Sequence, residues 1–110
     1  MDIFESKKGG WLILELKGRM DAITAPQVRE KIFSVIEQGE HNKLLLDCLG
    51  LDYVSSAGLR VLFEAAFKIQ DQNGKIGCYG VSANVRNIFN LSDMASEISI
   101  FNSQEEALRG

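Results

Sequence analysis

Between Leu51 and Leu59 the chain reads Leu-Asp-Tyr-Val-Ser-Ser-Ala-Gly-Leu, with two adjacent hydroxyls, Ser55 and Ser56, followed by the two smallest residue types, Ala57 and Gly58. An amphipathic helical repeat follows, so the hydroxyls fall where a strand hands over to a helix. The simplest use of a serine there is as a cap, its oxygen accepting one of the free N–H groups of the first turn for about 1 kcal/mol. The same geometry suits a second use. A helix start carries unpaired N–H groups and a partial positive charge, so a phosphoryl group on a serine at that point gains about 0.3 to 1 kcal/mol. Ala57 and Gly58 add no bulk, which leaves room for another protein's active site to reach the hydroxyl. Ser56 is therefore a phosphoacceptor candidate, with Ser55 the second.

Other chemistry finds less support. A serine nucleophile at a strand-to-helix turn needs a base, and the single histidine, His41, precedes the central strand at the opposite end. Ser55-Ser56-Ala57-Gly58 also lacks the G-x-S-x-G pattern of a hydrolase elbow. Gly18, Gly58, Gly74, Gly77 and Gly80 do not build a nucleotide-binding loop. Cys48 and Cys78 sit inside apolar runs as small buried hydrophobes, and with one histidine the chain shows no metal-ligand spacing. No cofactor, metal or catalytic residue is expected, and the chain reads as a binding protein rather than an enzyme.

The elements that position the serines follow from periodicity. Ile3–Ser6 and Trp11–Leu16, separated by Gly9-Gly10, predict an antiparallel hairpin. Thr24-x-x-Gln27 with Pro26 predicts a capping box opening a helix, with Val28, Ile32, Val35 and Ile36 inward and Gly39 as the stop. Leu44–Cys48 is a short continuous apolar run, the pattern of a central strand covered on both faces. Leu59, Leu62, Phe63, Ala66 and Ile69 then define the clearest amphipathic helix, ended by Asn73-Gly74. Its polar face carries Arg60, Glu64, Lys68 and Asp71. Lys75–Gly80 predicts a strand, Ala83–Asn90 a helix, Glu97–Ile100 a strand, and Ser103-x-x-Glu106 a last capped helix.

This alternation predicts an α/β fold: one domain spanning residues 1–110, with a mixed β-sheet of about five strands and about four helices packed against it. One domain is also what 110 residues allow. The net charge of −3 leaves no basic cluster for nucleic acid or anionic lipid. No apolar run approaches the ~20 residues of a membrane span, and Met1-Asp2-Ile3-Phe4-Glu5 is not a secretion signal, so the expected location is the cytoplasm. Trp11 is expected to pack in the hairpin, Asp47 to be held by hydrogen bonds, and Phe67 and Met94 to be exposed near the helix-lined edge, with partner contact the lesser reading of both.

Three segments together carry a family resemblance: Gly18-Arg19-Met20-Asp21 followed by Thr24-Ala25-Pro26, Leu46-Asp47 in a strand, and Val54-Ser55-Ser56-Ala57-Gly58-Leu59-Arg60-Val61-Leu62. Over nearly its whole length the chain resembles the STAS-domain anti-sigma factor antagonists of bacteria. The resemblance implies a partner switch in transcription regulation. The unphosphorylated protein binds an anti-sigma factor that is also a serine kinase, freeing a sigma factor. Phosphorylation by that kinase breaks the complex, and a PP2C-type phosphatase resets it. The Gly58-Leu59 register puts the modified serine on Ser56, with Asp21 beside it, and the implied partner-binding set is Asp21, Thr24, Ser55, Ser56, Ala57, Gly58 and Arg60. One departure is visible: many members carry Asp where this chain has Ser55, which removes a like charge next to the phosphate and leaves two adjacent hydroxyls. The competing reading within the same family is a module that is never phosphorylated and instead scaffolds a signalling complex or senses a small ligand.

Overall fold

The computed structural model describes residues 1–39 and 42–109. His41, the base considered above, lies outside the described residues. Strands β1 (Asp2–Lys8) and β2 (Trp11–Met20) form the predicted hairpin, turned by Gly9 and Gly10, whose φ angles of 59° and 83° are the left-handed pair that a tight two-residue turn requires. Then come α1 (Ala25–Glu37), β3 (Lys43–Val54), α2 (Ser56–Asp71), β4 (Lys75–Tyr79), α3 (Ala83–Leu91), a 3₁₀ turn (Met94–Ser96), β5 (Ser99–Phe101) and α4 (Gln104–Arg109). The five strands lie in sequence order. β1 is antiparallel to β2, and β2 to β5 are mutually parallel.

Both long strands run further than the apolar pattern indicated. β2 continues from Leu16 to Met20 and β3 from Cys48 to Val54, so Leu51–Val54 belongs to the central strand rather than to a connection. The pairing between them slips at Glu15/Lys17 and again at Gly18/Arg19, and each irregularity breaks the two-residue alternation that identifies a strand.

Side chains alternate between two cores. Leu12, Leu14 and Leu16 of β2, with Leu44, Leu46 and Cys48 of β3, face α1, α2 and α3, which contribute Val28, Ile32, Val35, Ile36, Leu62, Ala66, Ile69, Val85 and Phe89. Each fully buried leucine there contributes about 2 kcal/mol. On the other face Trp11, Ile13, Leu45 and Tyr79 are covered by Ala107 and Leu108 of α4. Trp11 is thus buried, with the Lys43 ammonium 5.7 Å above its ring. Asp47 is held structurally: its carboxylate accepts the Leu49 N–H at 3.0 Å and the Tyr79 hydroxyl at 2.8 Å, while Tyr79 accepts from Gln104 Nε2 at 2.9 Å. Burial, then the bond to Asp47, raises the Tyr79 pKa to about 12, so this link between sheet and α4 stays protonated at ordinary pH.

Three expectations are corrected. Met94 is completely buried, because the 3₁₀ turn folds back under the sheet edge, and it is no surface contact. The Thr24-x-x-Gln27 pattern makes no capping box, since the Thr24 hydroxyl is spent on the preceding turn. In Ser103-x-x-Glu106 the serine does cap, accepting the Glu106 N–H at 3.1 Å, but Glu106 reaches back to the Asn102 N–H instead of the cap's own. Phe67 is exposed, stacked on Phe63 at 6.3 Å.

Candidate functional site

Strands β2 and β3 end level with each other. Met20 lies opposite Val54, and the Ser55 N–H donates to the Met20 carbonyl at 2.8 Å. That bond ties the turn after β2 to the turn after β3, so the two sequence segments singled out above meet at one edge of the molecule.

The β2 turn is built from its own side chains. Asp21 Oδ1 accepts the N–H groups of Ile23 at 3.0 Å and Thr24 at 3.1 Å. Thr24 Oγ1 donates to the Arg19 carbonyl at 2.7 Å and accepts the Asp21 N–H at 2.9 Å. The Thr24 N–H is the main cause holding the Asp21 carboxyl below its ordinary pKa of 3.8; the Ile23 N–H and the Arg19 cation act the same way against partial desolvation. Asp21 is therefore an anion at any physiological pH, and Thr24 orients it.

The β3 turn separates the two serines. Ser55 is the N-cap of α2, extended in backbone (φ −85°, ψ 176°), and its Oγ accepts the Gly58 N–H at 3.3 Å. Ser56 is the first helical residue and is exposed. The first-turn N–H groups of α2 have no backbone partner within the helix, that of Gly58 being taken by Ser55, and no acidic residue occupies that turn. Ala57 is half-buried. Gly58 is buried: a Cβ there would lie 2.9 Å from Met20 Cγ and 3.0 Å from the Met20 carbonyl oxygen. The space it leaves is filled by β2 of the same molecule, which seats α2 directly on the strand end. Arg60, one turn along α2, is exposed.

Two features of this edge escaped the sequence reading. The Arg19 guanidinium stacks 4.5 Å over the Tyr53 ring, a cross-strand pair that the register Arg19↔Tyr53 creates. Ile23, inside the Asp21–Thr24 turn, is 87% exposed, so an apolar side chain projects beside the anion. Neither carries a local signal, because the first depends on strand register and the second on a turn whose bonds come from side chains. Among the described residues no group of three or more His, Cys, Asp or Glu converges as a metal site. No described helix is long and apolar enough to cross a membrane.

Comparison with known proteins agrees with this layout. The STAS domain family model matches residues 5–107. BtrV of Bordetella bronchiseptica, provisionally named an anti-sigma factor antagonist, is 32% identical over 97% of this chain and 91% of its own. Among solved structures, a provisionally named anti-sigma factor antagonist of Thermotoga maritima superposes with a TM-score of 0.90 at 16% identity, covering 97% of this chain and 92% of that one. The anti-sigma factor antagonist SpoIIAA, in its unphosphorylated form, gives 0.82 at 20% identity, covering 97% and 93%. The structural likenesses establish the fold, and the sequence relationships establish the lineage. The chain belongs to the STAS-domain family of anti-sigma factor antagonists.

Proposed function

We propose that the chain works as the phosphorylation-switched member of a partner-switching set. In its unmodified form it binds an anti-sigma factor that is also a serine kinase, and the sigma factor is released. Transfer of a phosphoryl group to Ser56 ends the complex, and a PP2C-type phosphatase restores it. The chain acts by being bound, with no catalytic step of its own.

The observation that carries this reading is the division of labour between the two serines. Ser55 is engaged as the cap of α2, whereas Ser56 is exposed at the first helical position, free to enter a kinase's active site. A phosphoryl group there adds a charge of about −1.5 to −2, steadied by the helix start. It would share the edge with the Asp21 anion, held nearby through the Ser55–Met20 bond. A partner that must desolvate this edge then meets two like charges, so binding is lost through repulsion and hydration without refolding. Asp21, Thr24, Ser55, Ser56, Ala57 and Arg60 make up the contact surface, extended by Ile23 and the Arg19–Tyr53 stack, and Gly58 supports it from below.

The test is a pair of variants titrated against candidate anti-sigma factor serine kinases of the same organism. Ser56→Ala is expected to bind the cognate one as tightly as the unmodified protein and to resist release by ATP; Ser56→Asp is expected to bind at least about tenfold more weakly. Equal affinities for the two variants would falsify the switch.

A further inference from the structure

On the polar face of α2, Arg60, Glu64 and Lys68 follow one another at four-residue spacing, the interval at which opposite charges on a helix meet. That series is broken from outside the helix. Arg29 of α1 reaches across and holds Glu64, Nε to Oε2 at 3.2 Å, with its guanidinium 4.2 Å over the Phe33 ring. Arg60 is left exposed, with no ion pair or side-chain hydrogen bond among the described residues. The residue one turn back from it is Ser56, exposed at the first helical position. Side chains four residues apart share one helix face, with about 5 to 6 Å between their Cβ atoms. An unmodified serine is neutral and too short to hold a guanidinium across that gap, whereas phosphoserine brings a charge of about −1.5 to −2 and three further acceptor oxygens.

We infer that Arg60 binds the phosphoryl group of Ser56 within the same chain, so that phosphorylation creates an ion pair along the first turns of α2. The inference rests on the reading of Ser56 as the phosphoacceptor and deepens it. The acid stands N-terminal to the base at four-residue spacing, which is the favourable order on a helix. A guanidinium also presents paired donors that match phosphate oxygens. The neighbouring cations of β2 are already engaged: Arg19 is stacked on Tyr53, and Lys17 is paired with Glu15 at 3.1 Å. Of these three, Arg60 is the uncommitted one. Its capture has a consequence for binding, because Arg60 belongs to the proposed contact surface. One modification then adds an anion to that surface and takes a cation out of it, and a partner matched to the unmodified edge loses on both counts.

Phosphoserine placed at position 56 of the full chain during translation, at an amber codon, gives the modified protein without any kinase, and phosphorus NMR follows its second ionisation against pH. The guanidinium favours the dianion, so the midpoint should lie below the ordinary value of about 6. Arg60→Gln should raise it by about half a pH unit, and Arg60→Lys, a cation without the planar fork, should fall between. The helix start, Asp21, Asp52 and Arg19 are common to parent and variants, so the difference reports Arg60. In the parent itself the Arg60 Nε–H resonance should move with the same midpoint, a reading that needs no variant to fold. Arg60→Gln titrating like the parent, or an Nε–H signal indifferent to the phosphate, would overturn the pair and leave Ser56 as phosphoacceptor intact. Kinase modification at another residue would remove the phosphoacceptor reading and, with it, the part Arg60 plays.

Discussion

The cap bond from the Gly58 N–H to Ser55 Oγ consumes one donor at the start of α2 and engages that hydroxyl as an acceptor, while Ser56, a single residue further on, is exposed. Asp21 faces the same edge as a carboxylate already committed to two backbone N–H groups. Its folded pKa lies below 3.8, so its bonds stabilise the fold above the unfolded value and are lost as the pH falls through the lower, folded one. Asp21→Asn keeps an acceptor oxygen but has no proton to take up. Denaturant unfolding at a series of acid pH values should therefore show the parent losing stability below its unfolded pKa, with a flatter profile for the variant. Identical profiles would mean that the turn does not depend on the charge. At this scale the candidate site was largely legible: two hydroxyls before two small residues marked the helix start, and the cap bond distinguishes their surroundings. Thr24 was misread because a threonine three residues before a glutamine looks the same whether its hydroxyl caps forwards or, as here, bonds back to the Arg19 carbonyl.

Helix α2 carries the proposed phosphoacceptor, and where it sits depends on Gly58. Alanine is the better helix former by about 1 kcal/mol. Its Cβ at this position would nevertheless press on the Met20 carbonyl at 3.0 Å, a backbone atom that cannot move without disturbing the bond from the Ser55 N–H. Overpacking of this kind costs about 1 to 3 kcal/mol, so Gly58→Ala should lower stability despite the propensity gain, and it should weaken partner binding with Ser56 intact. Thermal unfolding and a binding titration on the same sample check both; unchanged stability would mean that the strand end yields easily. The order and type of the elements were readable because core positions of α1, α2 and β3 repeat cleanly. The ends of β2 and β3 were not: Lys17, Gly18, Arg19 and Gly50 lie inside strands but resemble a turn, and two register slips spoil the alternation around them. Met94 was misplaced for a related reason, since a three-residue 3₁₀ turn has no period to read.

Across the whole molecule the sheet separates a large helical core from a small one closed by α4, and the proposed switch edge is the end of the sheet where β2 and β3 finish. Cys48 and Cys78 lie in the large core on neighbouring strands. Contact with Cys78, then burial, pushes the Cys48 thiol well above its usual pKa, which suppresses the reactive thiolate. A thiol reagent at neutral pH should label neither cysteine in the folded protein and both after unfolding; rapid native labelling would show that the core opens far more readily than its packing implies. A negative charge on Ser56 would lie outside both cores, so phosphorylation is expected to change binding and leave folding stability within about 0.5 kcal/mol.

The most direct measurement is to incubate the chain with a candidate anti-sigma factor kinase and ATP, isolate the tryptic peptide that runs from Leu44 to Arg60, and fragment it between its two serines while following the complex by size. One phosphate on Ser56, appearing as the complex dissolves, is the expected result. A phosphate on Ser55 or elsewhere, or a complex that persists once Ser56 is modified, would contradict it.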